Sequence, residues 1–170
     1  MQSITIGFSK PKKFKPFAWL IMAGYGTSFD HVYVKLHSTA YNIDIIYQAS
    51  RTMVNFMGTR IFNRDNDVVD EFEVHITDEN KSALMKFCIE NAGISYGIKE
   101  ALGLAIIRIA ELFGKKINNP FTDSGATYVC SELAWYILVN FAGVTGDKSY
   151  ENMSPKDVYQ YFKSIRALTT

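Results

Sequence analysis

Short runs of β-branched and aromatic residues mark the first half of the chain, and helical spacing of apolar residues marks the second. Ser3–Phe8 reads as a strand. His31–His37 and Asn42–Gln48 read as two more. Paired as an antiparallel hairpin about Thr39-Ala40, they set Val32 against Tyr47, Val34 against Ile45 and Leu36 against Ile43 on one face. The other face then pairs Lys35 with Asp44, His37 with Asn42 and His31 with Gln48. A slip of one residue would turn one strand over, so this register sorts apolar from polar and joins opposite charges. Thr39-Ala40 is, however, a poor tight-turn pair. Met53–Phe62 predicts one or two further strands interrupted at Gly58. Asn63–Asp67 predicts a turn, and Val68–Ile76 another strand.

Helical signals follow a different punctuation. Phe17–Ala23 predicts a short helix ended by Gly24 and Gly26. Thr77-Asp78-Glu79 opens a helix to about Asn91, stopped by Gly93, with Leu84, Phe87, Cys88 and Asn91 inward. Gly97–Phe113 predicts a strongly apolar helix, buried or facing lipid or a partner. Cys130–Phe141 predicts the next, ended by Gly143. Ser154 caps a last helix, with Pro155 in its first position. Strands first and helices later make an α+β pattern. No repeat, low-complexity tract or linker interrupts it, and 170 residues are most simply one domain spanning 1–170.

Composition narrows the function classes. Apolar residues are 48% and charged residues 21%, ordinary for a soluble globular chain. A net charge of +1 implies no overall attraction to nucleic acid or membrane. The basic stretch Lys10–Pro16 is a solvated loop or a contact for an anionic substrate or surface. Met1–Ser9 lacks the charged and then apolar pattern of a signal peptide. No uninterrupted apolar run reaches the ~18 residues of a membrane helix, the nearest being Ala101–Ala110. The expectation is cytoplasmic at synthesis, with release by lysis or carriage in a viral particle if the protein acts elsewhere. Oligomeric state is not legible. Two cysteines argue against a disulfide scaffold and leave a Cys88–Cys130 bond open.

Cys130 carries the candidate chemistry. It follows the turn-rich stretch Asn118–Gly125 and opens an apolar helix. Free N–H groups and partial positive charge at a helix start favour a thiolate. A nucleophilic cysteine needs a base, and the base an orienter. Of the three histidines, His31 stands at a strand start after the loop Gly24–Asp30. Gln48, opposite in the register above, can orient its imidazole. His37 lies about 20 Å further along the strand, and His75 sits in another. Cys130, His31 and Gln48 thus suggest a Cys-His-polar triad resting as a thiolate–imidazolium pair. The plain alternatives are a structural thiol and two ordinary sheet residues. No cysteine–histidine pair has ligand spacing, so neither metal nor cofactor is expected.

At these residues the chain resembles papain-like hydrolases of the NlpC type. It is most similar to their circularly permuted branch, which includes YiiX-like proteins and lecithin–retinol acyltransferase-type enzymes. There the histidine strand precedes the cysteine helix. Ser28-Phe29-Asp30-His31-Val32-Tyr33-Val34 is similar to the histidine strand, with Asp30 where serine is common and Tyr33 where glycine is common. Ile46-Tyr47-Gln48-Ala49 is similar to the strand of the third residue. Tyr128-Val129-Cys130-Ser131-Glu132-Leu133 is similar to the cysteine motif and is the most specific of these. Val74–Glu79, Gly93–Gly97 and Met153–Asp157 resemble bridging and closing segments. The resemblance implies a permuted papain-like fold, with a curved antiparallel sheet packed on the Cys130 helix. It implies Cys130 as nucleophile, His31 as base and then acid, Gln48 as orienter, and the Cys130 N–H as an oxyanion donor. Tyr96, Ser131 and Asp30 are implied at the substrate or oxyanion side. The implied activity is amide hydrolysis through a thioester, foremost on a peptidoglycan stem peptide in a bacterial or bacteriophage setting. Lipid acyl transfer or thioester hydrolysis is the second reading, with a lipid surface as partner. A non-catalytic binding or structural module is the third.

Overall fold

A computed structural model describes residues 2–50, 52–95, 128–145 and 153–168, together with isolated positions between 107 and 117 and at 149. Its elements are β1 (Gln2–Pro11), α1 (Pro16–Tyr25), β2 (His31–Ser38), β3 (Ile43–Ala49), β4 (Val54–Gly58), α2 (Thr59–Asp65), β5 (Asn66–Ile76), α3 (Asp78–Asn91), α4 (Cys130–Phe141) and α5 (Pro155–Leu168). The architecture is α+β. Five antiparallel strands form one sheet in the order β4-β3-β2-β1-β5.

Side-chain alternation gives the sheet two unlike faces. Ile4, Ile6, Phe8, Val32, Val34 and Leu36 point into the main core. Leu133, Ala134, Ile137 and Leu138 of α4 meet them there, with Leu84 and Cys88 of α3 and Val158 and Phe162 of α5. The opposite face carries a smaller cluster of Tyr33 and Ile46 under Phe62 of α2. Both cysteines are buried free thiols.

Most predicted elements lie where the pattern put them, and three differences have physical causes. The β2–β3 register is displaced by two residues: Val34 pairs with Tyr47, Leu36 with Ile45 and His37 with Asp44. The strands are joined by the four residues Thr39–Asn42, with Asn42 in the left-handed region at φ 49°. Asparagine tolerates that conformation, and Thr39-Ala40 makes no two-residue turn. A shift of two, unlike a shift of one, leaves every side chain on its expected face. Residues 59–65, expected as strand and turn, form α2, which starts after Gly58 and buries Phe62. β1 runs on to Pro11, which shortens the basic loop. The apolar helix expected over Gly97–Phe113 falls, apart from isolated positions, outside the described residues.

Two helix starts are built from the expected caps. Thr77 Oγ1 accepts the Asn80 N–H at 3.1 Å. Ser154 and Asp157 cap α5 reciprocally, the Ser154 N–H donating to Asp157 Oδ2 at 2.9 Å and the Asp157 N–H to Ser154 Oγ at 3.2 Å. At α4, the Val129 N–H donates to Glu132 Oε2 at 3.1 Å. That contact fixes Cys130 as the first residue of its helix. Among the described residues, no helix is long and apolar enough to cross a membrane.

Candidate active site

Where β2 begins and β1 and β3 end, the surface opens into a cleft of about 270 Å³. Cys130, His31, Gln48 and Asp30 all line it. Different causes bring Cys130, His31 and Gln48 together. Cys130 opens α4, whose apolar stripe is held against the sheet. His31 opens β2 and is paired with Ser9 of β1. Gln48 lies on β3, on the same face as His31, one diagonal step away. Its Oε1 lies 2.7 Å from His31 Nε2.

The direction of that hydrogen bond follows from the groups behind it. Met53 O can only accept, and Ser50 Oγ donates to it at 3.0 Å. Ser50 Oγ therefore accepts, from Asn55 Nδ2 at 2.8 Å. Asn55 then presents Oδ1 to Gln48 Nε2 at 3.4 Å, and Met57 Sδ accepts from the same nitrogen at 3.8 Å. Gln48 must turn its carbonyl oxygen to His31, which donates from Nε2. Nδ1 is left as the imidazole nitrogen with a lone pair. A fixed tautomer of this kind is what a histidine base requires.

Electrostatics set the resting charges. Burial pushes the Cys130 thiol up to about 11, and the charges of Asp30 and Glu132 push the same way. The peptide groups of Val32 and Ser131 oppose them by favouring the thiolate. Burial pulls the His31 imidazole down to about 4; the Gln48 hydrogen bond opposes this and the Lys15 charge adds to it. The acid thus stands beside the thiol and the base beside the imidazole, the reverse of what an ion pair needs. Burial and these charges favour the neutral thiol and the neutral imidazole over the thiolate–imidazolium pair expected from the sequence. Among the described residues, no hydrogen bond joins the Cys130 sulfur to His31.

The other predicted residues fall out unevenly. Ser131 is buried, and its hydroxyl donates to Met153 O at 2.5 Å, so it ties α4 to the entry of α5. Tyr96 lies outside the described residues. Tyr33, where glycine is common in the resembled family, is buried. Its ring lies across β1 over Gly7, its register partner, and its hydroxyl donates to Glu71 Oε1 at 2.7 Å. The cleft walls also hold residues with no recognised motif: Lys15, Phe17 and Ile21 from the loop and α1, Met57 from β4 and Asp65 from α2. Only the basic loop signalled any of them. No protein-family model matches this sequence, and no curated protein matches it significantly.

Proposed function

We propose that the chain is a cysteine-dependent amide hydrolase of permuted papain-like fold, acting through a thioester. The observation that carries this reading is the polarity of the chain of hydrogen bonds from Met53 O to His31, which leaves Nδ1 able to accept a proton in the cleft lined by Cys130. In the first step Nδ1 takes the thiol proton as sulfur attacks the carbonyl carbon. The amide C–N bond breaks, and the leaving nitrogen takes the proton from Nδ1. Water then gives a proton to Nδ1 and attacks the thioester. The carboxylic acid leaves, and the proton returns to sulfur. The Cys130 N–H, in the first turn of α4, would serve the oxyanion.

A neutral resting pair suits this sequence. General-base removal of the proton during attack avoids carrying two desolvated charges in the free protein. The leading substrate is a peptidoglycan stem peptide. Acyl transfer or hydrolysis on a lipid is the second reading, favoured by the apolar walls Phe17, Ile21, Ala49 and Met57. The test is to incubate the protein with stem peptides and with acyl lipids and measure released amine and released fatty acid. New amine termini, absent with Cys130→Ala, support the amidase. Fatty acid alone supports the second reading, and release of neither removes both.

A further inference from the structure

The outward face of α1 inverts the usual rule for surface helices. Pro16–Tyr25 contains no charged residue. Its exposed positions are Pro16, Trp19, Leu20 and Ala23, spaced i, i+3, i+4 and i+7, so one continuous stripe faces solvent and is wholly apolar. Trp19 is 57% exposed and Leu20 51%, and Phe14, just before the helix, is 77% exposed. Phe17 and Ile21, on another side of the helix, line the cleft. A helix that packed only against its own protein would carry polar residues on the solvent side.

The charge beside this stripe identifies what it meets. Lys12, Lys13 and Lys15 immediately precede the helix. Lys12 is held by Asn63 O and Asp67. Among the described residues Lys13 and Lys15 make no direct ion pair; both lie near enough to Asp65 to favour its carboxylate, which Arg64 engages directly. An apolar stripe containing tryptophan, with lysines at one end, fits the boundary between headgroups and acyl chains of an anionic bilayer. A second copy of the chain fits poorly. Ten residues of helix present an outward strip of roughly 150 Å², whereas a stable protein interface takes about 800 Å² from each partner.

We propose that α1 docks the protein on an anionic lipid surface, with Trp19 and Leu20 inserted and Lys13 at the headgroups. This inference does not depend on the reaction proposed above, and its test is independent of activity. The full chain is sedimented with phosphatidylcholine vesicles made with and without phosphatidylglycerol. Trp19 emission is taken as the difference between the wild type and Trp19→Phe. The expected result is co-sedimentation with the anionic vesicles, a blue shift of Trp19 emission on binding, and weakening by salt. Trp19→Ser with Leu20→Ser should abolish binding while the thermal midpoint stays within a few degrees. Lys13→Glu should weaken it at least about fivefold. Absence of co-sedimentation, or equal binding by the double variant, overturns the proposal. So does a Trp19 emission that is already blue and shielded from iodide in the free protein, because another part of this chain or a second copy then covers the stripe.

Discussion

His31 and Gln48 meet at 2.7 Å across a diagonal of the sheet, not as opposed neighbours. Diagonal partners stand farther apart than direct ones, and only a long side chain closes the distance. The third residue of the site is therefore held by its length as well as by its amide. The hydrogen bonds that Gln48 Nε2 donates to Asn55 and Met57 keep that amide from turning over.

Gln48→Ala removes the acceptor and frees the His31 tautomer. Amidase turnover should fall roughly 5- to 150-fold, the cost of about 1–3 kcal/mol for a buried hydrogen bond left unmade. Asn55→Ala acts through Gln48 and should cost less, with the same direction. Gln48→Glu puts a carboxylate against the ring and should raise the pKa of His31, moving the acid limb of the pH–rate profile upward. A merely structural role for Gln48 would change stability and leave that limb in place.

The unusual placement of charge gives a second expectation. Asp30 raises the Cys130 thiol and Lys15 lowers the His31 imidazole. Asp30→Asn should therefore increase iodoacetamide alkylation of Cys130 at neutral pH, by several-fold. The measurement is the alkylation rate against pH, with Cys88 monitored by peptide mapping. An unchanged or slower rate at Cys130 contradicts the assignment.

Stability should carry the mark of His31. Its folded-state pKa of about 4 lies below the ordinary 6.5. Between those values the unfolded chain binds a proton that the folded chain refuses, so stability is lost as pH falls from 6.5 to 4 and the loss levels off below. The contribution is about 3 kcal/mol. His31→Gln should remove that part of the difference between denaturation midpoints at pH 7 and pH 4. Catalysis should likewise persist down to about pH 4, where the base takes its proton. Cys130 mirrors this at high pH: the unfolded thiol ionises first, and stability falls as pH rises from 9 toward 11.

Gly7 and Tyr33 form a fitted pair. A Cβ on Gly7 would overlap the Tyr33 ring, which is itself packed on Phe62 at 4.6 Å between centroids. Gly7→Ala should destabilise the fold by about 1–3 kcal/mol, as overpacking does. Adding Tyr33→Ala should recover part of the loss specific to the overlap, and a double-mutant cycle in denaturant melts checks it.

How much of this is legible in the sequence depends on the range of the interaction. The faces of β2 and β3 follow from alternation, so His31 and Gln48 are assigned to one face even though the register is off by two. The loop Thr39–Asn42 decides that register, and its length depends on Asn42 adopting a left-handed conformation that no local pattern announces. α2 is missed because Met53–Phe62 carries strand-like residues, and seven residues of helix show too little periodicity to overrule them. The caps at Thr77 and Ser154 are local and readable; the Glu132 contact at α4 is local as well, but it starts from a valine that gives no cap signal. The walls of the cleft, from Lys15 to Asp65, are joined only by the folded chain. So are the burial and the neighbouring charges that favour the neutral forms of Cys130 and His31.

The most direct measurement is intact-mass detection of an acyl adduct after mixing the protein with an activated acyl donor. The expected result is one thioester on Cys130 in the wild type, none with Cys130→Ala, and formation slowed about 10²- to 10⁴-fold with His31→Ala, the usual contribution of a positioned base. Acylation of wild type and His31→Ala at the same rate, or an adduct on Cys88 in place of Cys130, would contradict a nucleophile activated by His31.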